Sequence, residues 1–237
     1  GYVRTQDNRS AAETLVALKQ LECDLKQVSG RSEGSIVHHH HDDDKSFRGV
    51  VADHAVERGW LDTDTGGYRP NANSVVERRI GMLNQVFRCL LLVATGGRMY
   101  FEQLWGPGLL HANRIVNIRP WPGRDSPWEM LSGSPSKVPE VGHVFGEYCV
   151  YRVSAAQKGG KWQPNSERGI WLGHSTHAYG SHDVAPIRWD TSNQCWSIDA
   201  VVTATTIRVY DGVFPLRMGP VDGKHSSQKF EDFVDQV

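Results

Sequence analysis

The 237 residues carry 26 lysines and arginines against 27 aspartates and glutamates, for a formal net charge of -1, and 39% of them are hydrophobic. That length and apolar content support one large domain or two modest ones with real cores, while the near-neutral charge excludes a uniformly basic nucleic-acid binder and still allows a local basic groove. The cysteines Cys23, Cys89, Cys149 and Cys195 form no C-x-x-C pair and read as reduced residues of an intracellular protein, and the longest apolar run, Cys89 to Ala94, is too short to cross a membrane. The chain begins at Gly1, with no Met and no signal peptide, which reads as a fragment of something longer.

In chain order, Tyr2 to Arg4 can end a strand. Asn8-Arg9-Ser10 then offers a cap to a helix with Leu15, Leu18, Leu21 and Leu25 on one side. Ser29 to Gly34 ends that helix, and Ser35 to His38 reads as a short strand. Lys45 to Arg58 is predicted helical, with Phe47, Val50, Val51 and Ala55 apolar. Gly59 closes it, and Trp60 to Thr63 follows as another short strand. Periodicity here shows alternating α and β elements and no more.

Tyr68 to Arg79 reads as a turn that runs into a helix. Pro70 fixes φ, Asn71 and Asn73 favour the turn, and Ser74 is placed to cap the first amides. Val76, Ile80, Leu83, Phe87 and Leu90 recur at helical spacing, and Glu77, Gly81, Asn84 and Arg88 form a second face that is polar and partly basic. Taken alone, Glu77 is a solvated carboxylate favoured by the helix dipole. Met99 to Asn117 has an apolar stripe, with a break expected near Gly106-Pro107-Gly108 and a helical restart at Pro107. Arg119 to Pro139 is rich in Pro and Gly and reads as a linker. From Val141 the pattern changes to period two, with strands predicted over Val144 to Val153, Gly169 to His174, Ile187 to Asp190, Cys195 to Ile198 and Val201 to Val209. Trp171, Trp189 and Trp196 are expected in the core. The tail from Gly219 has a disordered composition.

Several of these stretches resemble motifs of copia-type retrotransposon integrases. Tyr68, Pro70, Asn73, Glu77 and Arg78 fit the family's Y-x-P-x-x-N-G-x-x-E-R, with Ser74 where the family has Gly. Phe101, Ala112, Asn113 and Arg114 fit its F-W-x-x-A…N-R helix, and Ser126-Pro127-Trp128-Glu129 its T-P-Y-E. Val144-Phe145-Gly146 matches V-F-G-C, with Glu147 for the Cys. The stretch from Lys161 through Gly169-Ile170-Trp171-Leu172-Gly173 to Ser175 is similar to K-L-D-P-x-x-x-x-G-I-F-L-G-Y-S. The resemblance runs from about residue 1 to residue 216. It implies a ribonuclease-H-like α/β core over 1–118 (incomplete at its N-terminus), a linker over 119–140, a small all-β SH3-like barrel over 141–216, and a tail over 217–237.

The run His38 to Lys45 admits three readings. Its letters are similar to an expression tag with a protease site, against which stand its internal position and the family-like sequence on both sides. It is also a His-rich tract of the kind that binds metals. The third reading, which we favour, sets it on the family's D-N-G-G-E-F, with Phe47 on the Phe and Asp42 on the second catalytic carboxylate. Asp43 and Asp44 then replace Asn and Gly. Asp42 and Glu77 are separated by 34 residues, close to integrase spacing, and Asp62 stands where the family has His.

The resemblance thus implies Asp42 and Glu77 as catalytic, metal-holding carboxylates for Mg2+ or Mn2+, with Lys45, Arg69, Asn73, Arg78, Arg79 and Arg88 as DNA contacts. The intact integrase would be a homo-oligomer acting on DNA in the nucleus. Asp7 sits too close to the helix start to be the family's first Asp, and no His/His/Cys/Cys zinc module is matched. The expected function is therefore DNA integration by metal-dependent strand transfer, with the active site of this chain incomplete. A non-catalytic nucleic-acid-binding remnant or domesticated domain is the alternative, and a metal-dependent nuclease of the same fold is a further one.

Overall fold

The computed structural model describes residues 10–30, 36–42, 44–65, 74–97, 102–135, 142–154, 164–175, 178, 180–192 and 195–217. The expected strand at Tyr2, the loop from Tyr68 to Asn73, Phe101, Lys161 to Gln163 and the tail lie outside them. Contacts divide the chain into two units. One joins residues 1–84 with 113–138, and the other joins 85–112 with 139–237. The division falls inside two helices, whereas the sequence reading assigns both of them to the first domain.

In the first unit, helix α1 (Ala11–Ser29) starts where the Ser10 hydroxyl accepts from the Glu13 amide and stops at Gly30, whose φ of 65° suits a residue without Cβ. Strands β1 (His38–His41) and β2 (Leu61–Asp64) pair in parallel, His39 opposite Asp62. Helix α2 (Val50–Glu57) makes the crossover that a parallel pair requires. The single helix expected from Lys45 to Arg58 is split. A short 3-10 turn (Lys45–Phe47), capped by Asp44, precedes Gly49 at φ 62°, and α2 begins only after it. The first strand also lies three residues later than expected. Its ladder begins at the bond from the Leu61 amide to the Val37 carbonyl, so the histidines themselves form β1.

Behind these strands the sequence reading missed a buried ion network. Glu22 on α1 is only 7% exposed, and it receives Arg58 Nε at 2.8 Å and faces His54 Nε2 at 3.2 Å. Trp60 packs edge-on against the His54 ring. Burial pushes the Glu22 carboxyl up, but hydrogen bonds from Arg58 and His54, with their charges, outweigh it and leave the group below its ordinary range.

Helix α3 (Ser74–Thr95) crosses from the first unit into the second, and α4 (Trp105–Ile118), which begins two residues before Pro107, crosses from the second back into the first. Pro107 therefore sits in the first turn, where its missing N–H breaks no helical bond. Leu83 and Phe87 of α3 are buried as expected, but Val76 and Ile80, at 48% and 53% exposure, face outward among the described residues. Helix α5 (Pro127–Ser132) lies in the sequence-predicted linker. Its Ser126 and Glu129 exchange side-chain and backbone bonds in a capping box, with Pro127 opening the helix.

The second unit is built on β3 (Tyr148–Arg152), β4 (Ser166–His174), β5 (His182–Asp190), β6 (Cys195–Ile198), β7 (Val202–Ala204) and β8 (Ile207–Val209). All pairs are antiparallel, in the order β6-β5-β4-β3-β8 with β7 also on β5. No pairing joins β6 to β8 among the described residues. The expected strand over Val201 to Val209 is two strands, β7 and β8. Alternation puts Tyr148, Ile170, Leu172 and Ile187 in one core with Ala94 and Leu104 of the helical segment. Cys149, Tyr151, Trp171 and Val184 form a second core. Trp171 and Trp196 are buried, and Trp189 packs edge-on against Trp196 across the β5–β6 pair, in line with the core role expected of all three. Cys149, free and buried, has its thiol pushed up to about 12 by burial.

Two outcomes follow from this packing. A Cβ at Gly108 would fall on the buried Phe87 ring. Ala gains about 1 kcal/mol of helix propensity over Gly, but overpacking costs roughly 1–3 kcal/mol, so Gly108→Ala should lower stability by about 1 kcal/mol in urea unfolding. A stabilised variant would show that α4 can move off the ring. Because the folded pKa of Glu22 is depressed, its contribution is present above the ordinary value of 4.5 and is lost as pH falls through the folded value. Glu22→Gln should therefore destabilise the protein near neutrality and flatten the acid decline, as read by unfolding curves across pH 3 to 7.

Candidate functional site

Asp42 follows directly on β1 and is exposed, and Glu77 lies in the first turn of α3 and is exposed as well. Among the described residues neither carboxylate has a hydrogen-bond or ion-pair partner. Both offer exposed carboxylate oxygens, the kind of donor that hard cations take. Asp43 is outside the described residues. Asp44 is turned away to the Ser46 amide at 2.8 Å, where it caps the 3-10 turn.

The basic residues part company. Lys45 and Arg88 are exposed. Arg78 is exposed too, its Nε reaching back one turn to the Ser74 carbonyl at 3.2 Å. Arg79 is half-buried, and its guanidinium donates to Asn117 Oδ1 at 2.7 Å and Asn113 Oδ1 at 3.3 Å. Burial lowers its pKa, yet a guanidinium remains charged. Arg79 thus ties the start of α3 to the asparagines of α4, including the Asn113 of the family-like N-R pair. Arg69 and Asn73 lie outside the described residues.

The other family-like motifs have structural work. Gly146 takes φ 89°, its amide donates to the Trp171 carbonyl, and the Trp171 amide donates to the Glu147 carbonyl. The V-F-G and G-I-W-L-G stretches are thereby bonded to each other. Glu147, which replaces the family Cys, is buried and accepts from the Val144 and Gly212 amides, both at 2.7 Å. At Gly169 a Cβ would meet Val184 and the Ala185 carbonyl, so this glycine is set by strand packing.

The His tract holds a cluster the sequence reading left open. His39 and His41, two residues apart on β1, share one face with Asp62 of β2. His39 Nδ1 lies 2.8 Å and His41 Nε2 3.4 Å from the same Asp62 oxygen. Period-two spacing could have flagged the pair, but the partner strand could not be registered from sequence.

No family model matches the chain, and no curated protein matches it. Among solved structures, the catalytic core domain of BIV integrase is similar over 53% of this chain and 73% of that one, at 19% identity and a TM-score of 0.39. The simian T-cell lymphotropic virus intasome in complex with PP2A regulatory subunit B56 gamma is similar over 84% of this chain and 66% of that one, at 15% identity and a TM-score of 0.41. Superpositions this loose decide nothing about fold or chemistry, which rest on the chain's own residues.

Removing Arg79 takes one donor from each of Asn113 Oδ1 and Asn117 Oδ1 in a partly buried place. Arg79→Ala should cost about 1–2 kcal/mol in urea unfolding, and its effect should be far from additive with Asn117→Ala. Full additivity would show that the two side chains do not depend on each other.

Proposed function

We propose that this chain is part of a copia-type retrotransposon integrase, which joins DNA ends by metal-dependent strand transfer, and that Asp42 and Glu77 are two of its metal-holding carboxylates. The ordered series of family-like motifs along the chain, with Asp42 and Glu77 separated by 34 residues, carries the reading. In it the core is ribonuclease-H-like over 1–118 and is followed by an SH3-like barrel over 141–216, and the intact integrase works as a homo-oligomer on nuclear DNA.

The donor set fits Mg2+ or Mn2+, since both carboxylates are exposed and unengaged among the described residues. Such ions, when bound, supply charge stabilisation to the attacking and leaving oxygens of a phosphodiester. The chain's own part is to present the two carboxylates and to hold DNA phosphates with the exposed Lys45, Arg78 and Arg88, assisted by Arg69 and Asn73. Arg79, whose Nη2 donates to Asn113 and Asn117, is read as a packing residue in preference to a phosphate contact. No residue of this sequence is matched to the family's first Asp, which favours binding without catalysis for these 237 residues on their own. A non-catalytic nucleic-acid-binding remnant or domesticated domain is the second reading and draws on the same observation.

The test is a nicking and strand-transfer assay on labelled donor ends with Mg2+ or Mn2+, run beside DNA binding at graded salt. We expect weak, salt-dependent binding and no joining. Lys45→Ala, Arg78→Ala and Arg88→Ala should each lower the salt slope by about one unit, and Arg79→Ala should leave it unchanged. Joining that Glu77→Gln abolishes would reveal a third ligand in this chain. Salt-independent binding, or none, would overturn the DNA-binding assignment.

A further inference from the structure

We infer that His39, His41 and Asp62 form a transition-metal site of the Zn2+ class, which clamps β1 to β2 and is separate from the proposed Asp42–Glu77 pair. The inference does not rest on the integrase reading.

The three ligand atoms lie within 4.8 Å of one another. A four-coordinate ion with bonds of about 2.0–2.2 Å needs its ligand atoms about 3.3 Å apart. His41 Nε2 to Asp62 is already at 3.4 Å, and His39 Nδ1 to Asp62, at 2.8 Å, must open by only about half an ångström.

His41 Nδ1 lies 2.6 Å from the Asp42 backbone carbonyl, an acceptor, so Nδ1 carries the hydrogen. In a neutral ring Nε2 then presents a lone pair to a carboxylate oxygen. Such a facing pair is satisfied by a proton or by a metal cation between the two atoms, and a carbonyl bonded to the far ring nitrogen is the usual second support of a metal-binding histidine. Around the cluster, the Phe47 ring stacks on His41 at 4.9 Å, and Phe47 and Trp60 flank His39. The wall is apolar, the ligands are half-buried, and the strand register rather than a flexible tail holds them. Two imidazoles and one carboxylate suit Zn2+, Co2+ or Ni2+ better than Mg2+, and leave one position for water.

The opposite face of β1 is a built-in control. His38 and His40 both turn to the Thr63 hydroxyl, at 2.7 and 2.8 Å, and the third group there is a neutral hydroxyl in place of a carboxylate.

The experiment is titration of the full chain with Co2+, followed by competition with Zn2+. We expect the visible band of four-coordinate Co2+ to saturate at a single equivalent and to bleach on adding Zn2+. His39→Ala, His41→Ala and Asp62→Asn should each weaken binding about tenfold or more, whereas the His38→Ala/His40→Ala double variant should stay within about twofold. Glu77→Gln, and Mg2+ in excess, should leave the band untouched, which keeps failure of this site distinct from failure of the Asp42–Glu77 site. Where a variant loses its far-UV dichroism, imidazole NMR of the unaltered chain decides: Zn2+ should move the rings of His39 and His41 and spare those of His38 and His40. No band, or equal loss from both faces, or four rings moving together, would overturn the site, the last two as simple polyhistidine chelation.

Discussion

The first unit depends on the register of two four-residue parallel strands. Side chains alternate along a strand, so a slip of one residue would exchange the faces of His38 and His40 with those of His39 and His41. It would also change which carboxylate or hydroxyl each ring meets and where Asp42 leaves the ladder. So short a pair is marginal by itself. Its support comes from the packed aromatic groups on one side and from α2, whose His54 and the Arg58 that caps it are held by the buried Glu22 of α1. The local geometry of the proposed chemistry is thus inherited from an ion network that has no part in it.

Much of the motif series that suggested an integrase is explained by backbone economy. Ser126 and Glu129 of the family-like S-P-x-E satisfy each other's amides at a helix start, and Pro127 fits that start. Gly146 and Gly169 sit where a side chain has no room. Motifs of this type speak to a fold more than to a reaction, and the proposed reaction would draw on two exposed carboxylates, Asp42 and Glu77.

Legibility followed the range of the forces. Ser10 as a cap, Leu83 and Phe87 on the inner face of α3, and the three core tryptophans are readable because a local pattern marks each: a cap beside its helix, helical spacing, or large aromatics in a period-two stretch. The first strand was misplaced by three residues because hydrophobicity pointed to Ile36 and Val37, while the pairing that defines β1 is with β2, across α2. Arg79 reads from sequence as a phosphate contact, and its bonds to Asn113 and Asn117, 34 and 38 residues away, are not legible there. Glu22 went unnoticed for the same reason. The Asp42 and Glu77 assignments came from motif and spacing, and no local pattern would have singled them out.

Glu147 carries a consequence for the birth of the protein. Its carboxylate is satisfied by the Val144 amide nearby and by the Gly212 amide 65 residues later, while β3 pairs with the last strand, β8. On the ribosome β3 emerges long before its edge partner, and an acceptor destined for burial must stay in water until then. Non-local closure of this kind slows folding and leaves a strand edge open in the meantime. A nascent chain halted between β5 and β8 would hold most of the sheet's apolar residues while the β3 edge that β8 later covers stays open to pairing with other chains.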